Sequence, residues 1–323
     1  MAAAETVTAK KYAAPYYVRR FAKVLNEMWR DRVLYLWLAP FLLSFLVFIV
    51  LPVFLSALLS VTAFDGFSFP RFVGLHNFIV LFTQDLVFYQ YALPNTFWFA
   101  LIVGPGGYAL NFFIALLISR VAKRAQDYYT LAYYGTSLAG GVALSVVWQA
   151  VFNGDRGGYL NSFLLRLGVI ETPQLWLEDV RYLLPVMMIV TLMTGFGVGF
   201  LAMLAGIVSV NRELYEAGKI DGIRSPLQEV YYITIPSMKP QMLFSAVMAI
   251  VGTLKAGAIG AQLTGSIITP QYAGHLILNH IDDYAFLRYE LGYASAVAVV
   301  LLLIMYFAMR FAYRLFAPKE GDE

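Results

Sequence analysis

Residues 213–240 read ELYEAGKIDGIRSPLQEVYYITIPSMKP, a charged and polar stretch between two long apolar segments of a very hydrophobic chain. The stretch carries the start and stop signals of two short helices. Asn211 can accept a hydrogen bond from the first turn of one helix, and Glu213 lies in that turn, where an acidic residue is favourable. Gly222 can end the same helix, because glycine adopts positive φ without penalty. We therefore predict a short helix followed by a tight turn.

The second half of the stretch predicts another short helix. Ser225 and Gln228 have the spacing of a capping box, and Pro226 occupies the first helical position, where proline is favoured. Pro236 is expected to stop this helix. Four residues give it an apolar side: Leu227, Val230, Tyr231 and Ile233. Such an element in a membrane protein suits docking to a cytoplasmic partner, and the alternative is an amphipathic turn without a partner.

The composition is that of an integral membrane protein. Of the 323 residues, 60% are hydrophobic and only 13% are charged, whereas soluble domains average roughly 25% charged residues. The chain contains no cysteine, which excludes disulfides, iron–sulfur clusters and thiolate zinc sites.

Six segments are long and apolar enough to cross a bilayer as helices, which takes roughly 20 residues each. They are residues 34–62, 95–119, 128–152, 183–210, 240–260 and 291–309. The expected fold class is an all-α membrane protein of six transmembrane helices, with the loop 211–239 between spans 4 and 5. Residues 1–32 form a basic arm, 33–309 the transmembrane domain and 310–323 a tail. The arm is either a helix on the membrane surface or a solvated tail.

Lysine and arginine are distributed unevenly between the two sets of loops. With the amino terminus placed inside, seventeen lie on the inner side and five on the outer side. Cytoplasmic loops carry an excess of these residues. Both termini and the loop 211–239 are therefore expected in the cytoplasm.

The loop resembles the "EAA" coupling loop of permease subunits in bacterial ATP-binding-cassette (ABC) importers. The residues at the positions of that motif are Glu216, Ala217, Gly218, Asp221, Gly222 and Pro236. The chain departs from the family pattern at Gly218, which is usually alanine, at Ile223, and at Ile235, which is usually leucine. The resemblance implies that the loop docks to an ATPase. Glu216 and Asp221 would then make polar contacts or cap the helix, Ala217 and Gly218 would permit close approach, and Gly222 would supply the turn.

The similarity extends from about Trp37 to the last predicted span. It is to the carbohydrate-uptake (maltose and multiple-sugar) branch of binding-protein-dependent transport systems. The stretches FVGLHNF at 72–78, VW at 147–148 and LGYASA at 291–296 carry it. Gly135 stands where that branch usually has proline, so the bend of span 3 need not follow the family.

This resemblance implies an ATP-driven importer of a sugar, most simply an oligosaccharide, in the bacterial plasma membrane. Glycerol phosphate or an acidic sugar is the alternative cargo, and a stand-alone secondary transporter is the alternative mechanism. The implied partners are a second homologous permease, two copies of an ABC ATPase and an extracytoplasmic solute-binding protein, with no nucleic acid. The chain has no phosphate-binding loop motif, so ATP and magnesium are expected in the ATPase subunits, and this chain is expected to bind no cofactor and not to be an enzyme.

Five residues are candidates for the substrate path: Lys255, Thr194, Asn111, Gln149 and Trp148. Lys255 is the only charged residue inside a predicted span, which marks a functional site unless it snorkels or pairs with a neighbour. Thr194 fits helix packing as well as a ligand path. For Trp148 we favour the aromatic belt at the membrane surface over a sugar site. The amides of Asn111 and Gln149 can serve either purpose.

His275 and His280 are five residues apart and are followed by Asp282 and Asp283. This spacing suits a metal site poorly, so we expect structural loop residues and no metal. The predicted spans contain no carboxylate, which argues against ion-coupled transport, and no catalytic constellation is evident.

Overall fold

The computed structural model describes residue 30 and residues 32–138, 141–194 and 197–316. Most of the predicted basic arm and the end of the predicted tail lie outside these residues. The chain divides into two compact units, Met1–Leu55 and Ser56–Glu323. The second unit contains the hydrophobic core and every site described below.

Helices make up most of the described chain. In order they are α1 Arg32–Leu59, α2 His76–Thr83, α3 Phe88–Ser119, α4 Lys123–Leu138, α5 Gly141–Val151, α6 Tyr159–Arg166, α7 Val180–Thr194, α8 Val198–Ser209, α9 Arg212–Ile220, α10 at residues 226–237, α11 Lys239–Leu254, α12 Ala258–Thr264, α13 Ile277–Asp282 and α14 Leu291–Phe316. Strands β1 (Thr62–Ala63) and β2 (Arg71–Phe72) pair antiparallel between α1 and α2.

Three of the described helices, α1, α3 and α14, are long and apolar enough to cross a membrane. The bent pairs α7–α8 and α11–α12 raise the number to five if each pair is one span. The predicted span 128–152 falls on α4 and α5, on either side of residues 139–140, and is not among the five. The mostly helical fold is confirmed, whereas six spans stay a prediction.

Two helices extend beyond the spans that were predicted for them. The helix α3 begins at Phe88 rather than residue 95, because a π-helical turn, Phe88–Ala92, leads into it. Pro94 then lies in the first turn of the following α-helical segment, where proline is tolerated. The last helix continues to Phe316, beyond the predicted end at 309.

The predicted span 240–260 is not straight, since α11 and α12 meet at an angle of 49°. Lys255 follows the last residue of α11, at the bend, and not the middle of a helix. A residue of α13 stabilises the bend, because the Asn279 side chain donates a hydrogen bond to the Gly257 carbonyl at 2.9 Å. A Cβ on Gly257 would lie only 2.5 Å from Leu278 Cβ, so the close approach requires glycine.

The helix α3 supplies side chains to all three hydrophobic clusters of the second unit. Phe99 packs in a cluster with α7 and the 263–276 region. Phe88 packs with α2, α13 and α14, and Ala115 packs with α8 and α11. The central position of α3 therefore holds the later helices together.

Candidate functional site

The first helix of the coupling segment, which we define as residues 211–237, has the predicted caps. The Asn211 side chain accepts a hydrogen bond from the Glu213 N–H at 3.1 Å. The helix α9 ends at Ile220, and Gly222 follows with φ +98°. Only glycine adopts this region readily, which explains the sharp turn into α10.

The second helix has the predicted capping box. The Ser225 side chain accepts from the Leu227 N–H at 3.3 Å, and the Gln228 side chain accepts from the Ser225 N–H at 3.1 Å. Pro236 does not stop this helix, which ends at Ser237. A π-helical turn at Val230–Thr234 ends two residues before the proline, and this change in hydrogen-bond pattern accommodates a residue without an N–H.

The two helices of the coupling segment pack against each other as one unit. Gly218 is buried, and a Cβ there would lie 2.7 Å from Ile233 Cδ1 and 3.0 Å from Ile223 Cδ1. The Tyr215 and Thr234 hydroxyls are hydrogen-bonded at 2.9 Å. Gly218, at the position where the family pattern usually has alanine, thus permits the close contact between α9 and α10.

The outer surface of the coupling segment exposes both apolar and acidic side chains. Ile220 is 87% exposed and Leu227 is 78% exposed, while Glu216, Ala217 and Asp221 are also exposed. The predicted apolar side of α10 divides between two faces. Val230 and Ile233 are buried, whereas Leu227, Tyr231 and Tyr232 face outward. The segment therefore presents a surface suited to a protein partner.

The first of two neighbouring cavities, the indole cavity, has a volume of about 190 Å³ and lies between α4, α5, α7 and α12. Its polar lining includes Ser145, Trp148, Thr191, Thr194 and Gln262. The Trp148 ring stacks on Phe152, and its Nε1 is buried without a hydrogen-bond partner among the described residues. The indole packs against the core and lines this cavity, whereas its place in the membrane-surface belt stays a prediction.

The second cavity, the amide cavity, has a volume of about 250 Å³ and lies between α3, α7, α8 and α11. Asn111, Thr191, Ser245 and Thr253 contribute its polar atoms. Asn111 Oδ1 and Ser245 Oγ are buried without a partner among the described residues. Thr191 lines both cavities, so they are adjacent. No motif or spacing in the sequence singles out Ser245, Thr253 or Gln262.

Two predicted path residues lie outside both cavity walls. Gln149 donates a hydrogen bond to the Gln262 carbonyl at 2.6 Å and so connects α5 to α12. Lys255 is exposed at the bend between α11 and α12. The structure thus brings Trp148 and Thr194 together, places Asn111 in the adjoining cavity, and separates Lys255 from the three.

Comparison of the sequence with known proteins identifies the family of this chain. No protein-family model matches the chain. The chain is 30% identical over 279 residues to the probable ABC transporter permease protein YesP of Bacillus subtilis (strain 168), a match that covers 84% of this chain and 86% of that protein. This chain belongs to the ABC transporter permease family.

Two further similarities agree with this assignment. The arabinooligosaccharides transport system permease protein AraP of the same bacterium is 25% identical over 291 residues, which cover 89% of the permease and 90% of AraP. A chain of the bacterial alginate ABC transporter, solved in complex with its alginate pentasaccharide-bound periplasmic protein, has a TM-score of 0.73 at 20% identity, over 90% of this chain and 96% of that one. The permease is therefore an integral-membrane transport subunit with the fold of that chain.

A buried polar chain lies beside the start of α3 in this permease. His275 Nε2 is 3.3 Å from His280 Nδ1, and His280 Nε2 is 2.9 Å from Asp85 Oδ2. The Tyr293 and Tyr284 hydroxyls donate to the same Asp85 oxygen at 2.6 and 3.1 Å. Both histidines are buried in the core and are not part of an exposed loop, and their structural role stays a prediction. The Asp85 partner lies 195 residues from His280 and was not predicted.

This polar chain makes stability depend on pH. Burial, with a smaller contribution from His280, lowers the pKa of His275 to about 4. Burial alone would raise the pKa of Asp85, but the hydrogen bonds from His280 and Tyr293 outweigh it and lower that pKa well below its usual range. His275 is thus neutral in the folded protein at pH values where the unfolded chain, with a histidine pKa of about 6.5, takes up a proton.

We expect the permease to lose stability as the pH falls from about 6.5 to about 4, by up to roughly 3 kcal/mol from His275 alone. The measurement is the apparent melting temperature in detergent across this range. H275N should flatten the profile, and H76N, at an exposed histidine, should leave it unchanged. An identical acid response in wild type and H275N would contradict the assignment.

Proposed function

We propose that the permease is one of two membrane subunits of an ATP-driven importer that carries an oligosaccharide across the bacterial plasma membrane by alternating access. A second permease, two ATPase copies and an extracytoplasmic binding protein complete the transporter, with ATP and magnesium held by the ATPases. The observation that carries this proposal is the coupling segment, a packed two-helix unit with an exposed apolar and acidic surface.

The proposed topology has six spans, with α4 and α5 together as the third and each bent pair as one. Both termini and the coupling segment lie in the cytoplasm, with residues 1–32 and 310–323 flanking the transmembrane domain. The excess of lysine and arginine on that side supports this orientation. The coupling segment then faces the compartment where ATP is available.

Movement of the coupling segment would pass directly to the helices on either side of it, α8 and α11. These two are in close contact, since a Cβ on Gly206 would lie 3.0 Å from Gln241 Cβ and one on Gly199 would lie 2.8 Å from Ser245 Oγ. The same helices form one wall of the amide cavity. Closure of the ATPase pair would therefore move this wall as a rigid body.

The two cavities favour a neutral sugar over glycerol phosphate or an acidic sugar. Among the residues the structure describes, neither lining includes a lysine or an arginine. The polar side chains of these linings carry hydroxyl and amide groups, and Trp148 adds an aromatic face. Such groups bind sugar hydroxyls and ring faces, whereas an anionic cargo calls for a cation.

The test of this function is mass spectrometry of the proteins that co-purify with the permease from native membranes in mild detergent. We expect a second permease in equal amount, with twice that amount of an ABC ATPase. Screening sugars against the binding protein encoded with them then identifies the cargo. Recovery of the folded chain without an ATPase would contradict the importer and favour a stand-alone transporter.

A further inference from the structure

A third cavity, the basic cavity, lies between the coupling segment and the helices that lead to it. It has a volume of about 550 Å³. Its walls come from the end of α3, the start of α4, the end of α8 and the coupling segment. The polar lining includes Arg120, Lys123, Arg212, Tyr215 and Glu229. None of them lines the two cavities of the proposed sugar path.

The charge of the basic cavity is unbalanced. Arg120, Lys123 and Arg212 face a single carboxylate, Glu229. The Glu229 carboxylate is 4.0 Å from the Arg120 guanidinium, while Lys123 and Arg212 make no salt bridge within the described part of the chain. Lys123 is also the first residue of α4, where the helix dipole adds a partial positive charge. The cavity therefore attracts an anion.

Part of the lining is apolar. Leu116, Val121, Ile207 and Val208 lie at the ends of α3 and α8, and the side chains of Val121 and Val208 are exposed. A free phosphate ion would leave this surface uncovered. A ligand with a negative head and a hydrocarbon tail would satisfy both parts of the wall.

We propose that the basic cavity binds the phosphate head group of an anionic phospholipid, with the acyl chains lying along α3 and α8. Basic cavities between membrane helices bind such head groups in other proteins. Because Arg212, Tyr215 and Glu229 belong to the coupling segment, a bound lipid would connect that segment to the membrane surface. The assignment of this lipid to the cytoplasmic leaflet rests on the topology of the proposed function, whereas binding itself does not.

The test is native mass spectrometry of the purified permease titrated with phosphatidylglycerol, with phosphatidylcholine, and with inorganic phosphate as a competitor. K123Q/R212Q removes two cations and keeps the pair between Arg120 and Glu229. R310Q/R314Q is the matched control, because it removes the same charge from exposed positions on α14.

We expect the wild type to bind one phosphatidylglycerol in preference to phosphatidylcholine. K123Q/R212Q should weaken this binding by about thirtyfold, since each basic side chain contributes about 1 kcal/mol to anionic lipid binding and each 1.4 kcal/mol is a factor of ten. R310Q/R314Q should bind like the wild type.

Equal losses in the two double variants would overturn the site, because only the overall charge would then matter. Displacement of the bound lipid by millimolar inorganic phosphate would show that the cavity recognises the free anion, and would also overturn the lipid assignment. These experiments measure lipid binding and not uptake. A negative result would therefore not contradict the importer proposal. Likewise, purification of the permease without an ATPase would not contradict the lipid site.

Discussion

Replacing Gly222 with valine should lower ATP-driven uptake by about tenfold or more while leaving the spans inserted. Gly222 has φ +98° between α9 and α10, and a Cβ there would meet no heavy atom within 4 Å. The effect therefore comes from the backbone alone. A left-handed conformation costs an L-residue about 1–2 kcal/mol, and more for a β-branched one. Relief of this strain would rotate α10 away from α9 and change the surface offered to the ATPase.

Gly222→Asn is the matched control, since asparagine adopts left-handed conformations more readily than other non-glycine residues. It should retain most of the uptake. The measurement is uptake in proteoliposomes together with the ATPase activity that the loaded binding protein stimulates. Normal uptake by Gly222→Val would remove the turn from the coupling mechanism, and equal losses in both variants would show that any side chain at this exposed turn blocks docking.

Replacing Trp148 with alanine should raise the KM for uptake by about thirtyfold, because truncating an aromatic anchor at the centre of a binding site costs about 2 kcal/mol or more. The indole lines the indole cavity, and its Nε1 is buried without a partner among the described residues. A sugar hydroxyl would satisfy this N–H while the sugar ring packs on the indole face. The measurement is the concentration dependence of uptake of the sugar that the binding protein selects.

Two controls separate this role from packing. Trp148→Phe keeps an aromatic ring but loses the N–H and part of the indole face, so the KM should rise by at least roughly fivefold, the equivalent of one hydrogen bond of about 1 kcal/mol. Trp98→Ala removes an indole that is exposed on α3 and should leave the KM unchanged. If Trp148→Ala lowered the yield of folded protein but left the KM unchanged, Trp148 would have a structural role and no role in sugar binding.

Local signals were sufficient to predict the helices of the coupling segment. Asn211, Gly222, Ser225 and Gln228 act through neighbours no more than four residues away, and the structure contains each predicted cap or turn. The end of α10 was wrong by one residue, because the π-helical turn before Pro236 leaves no signature in the sequence. The two faces of α10 also required the structure, since only packing against Gly218 and its surroundings decides which apolar residues are buried.

Long-range contacts explain most of what the sequence did not reveal. Apolar length predicted where helices lie, but the bend after Leu254 depends on Asn279, and the role of His280 depends on Asp85. Trp148 could not be assigned from hydropathy, because the aromatic belt and a buried cavity wall favour the same residue type. A span count from composition likewise treats a bent pair of helices as one straight segment.

The central position of α3 also bears on biogenesis. Membrane helices are synthesised from the amino terminus, so α3 is in place before most of the residues that complete the three clusters. Phe88 belongs to the same cluster as Val297, and Ala115 belongs to the same cluster as Met238, so each partner is synthesised long after the α3 residue. Until α14 has been made, the part of the α3 surface that packs in the cluster with α14 lacks that partner helix. Assembly of this subunit is thus the stepwise addition of late helices to an early one, and a nascent chain that stops before residue 291 would display an incomplete core to membrane proteases.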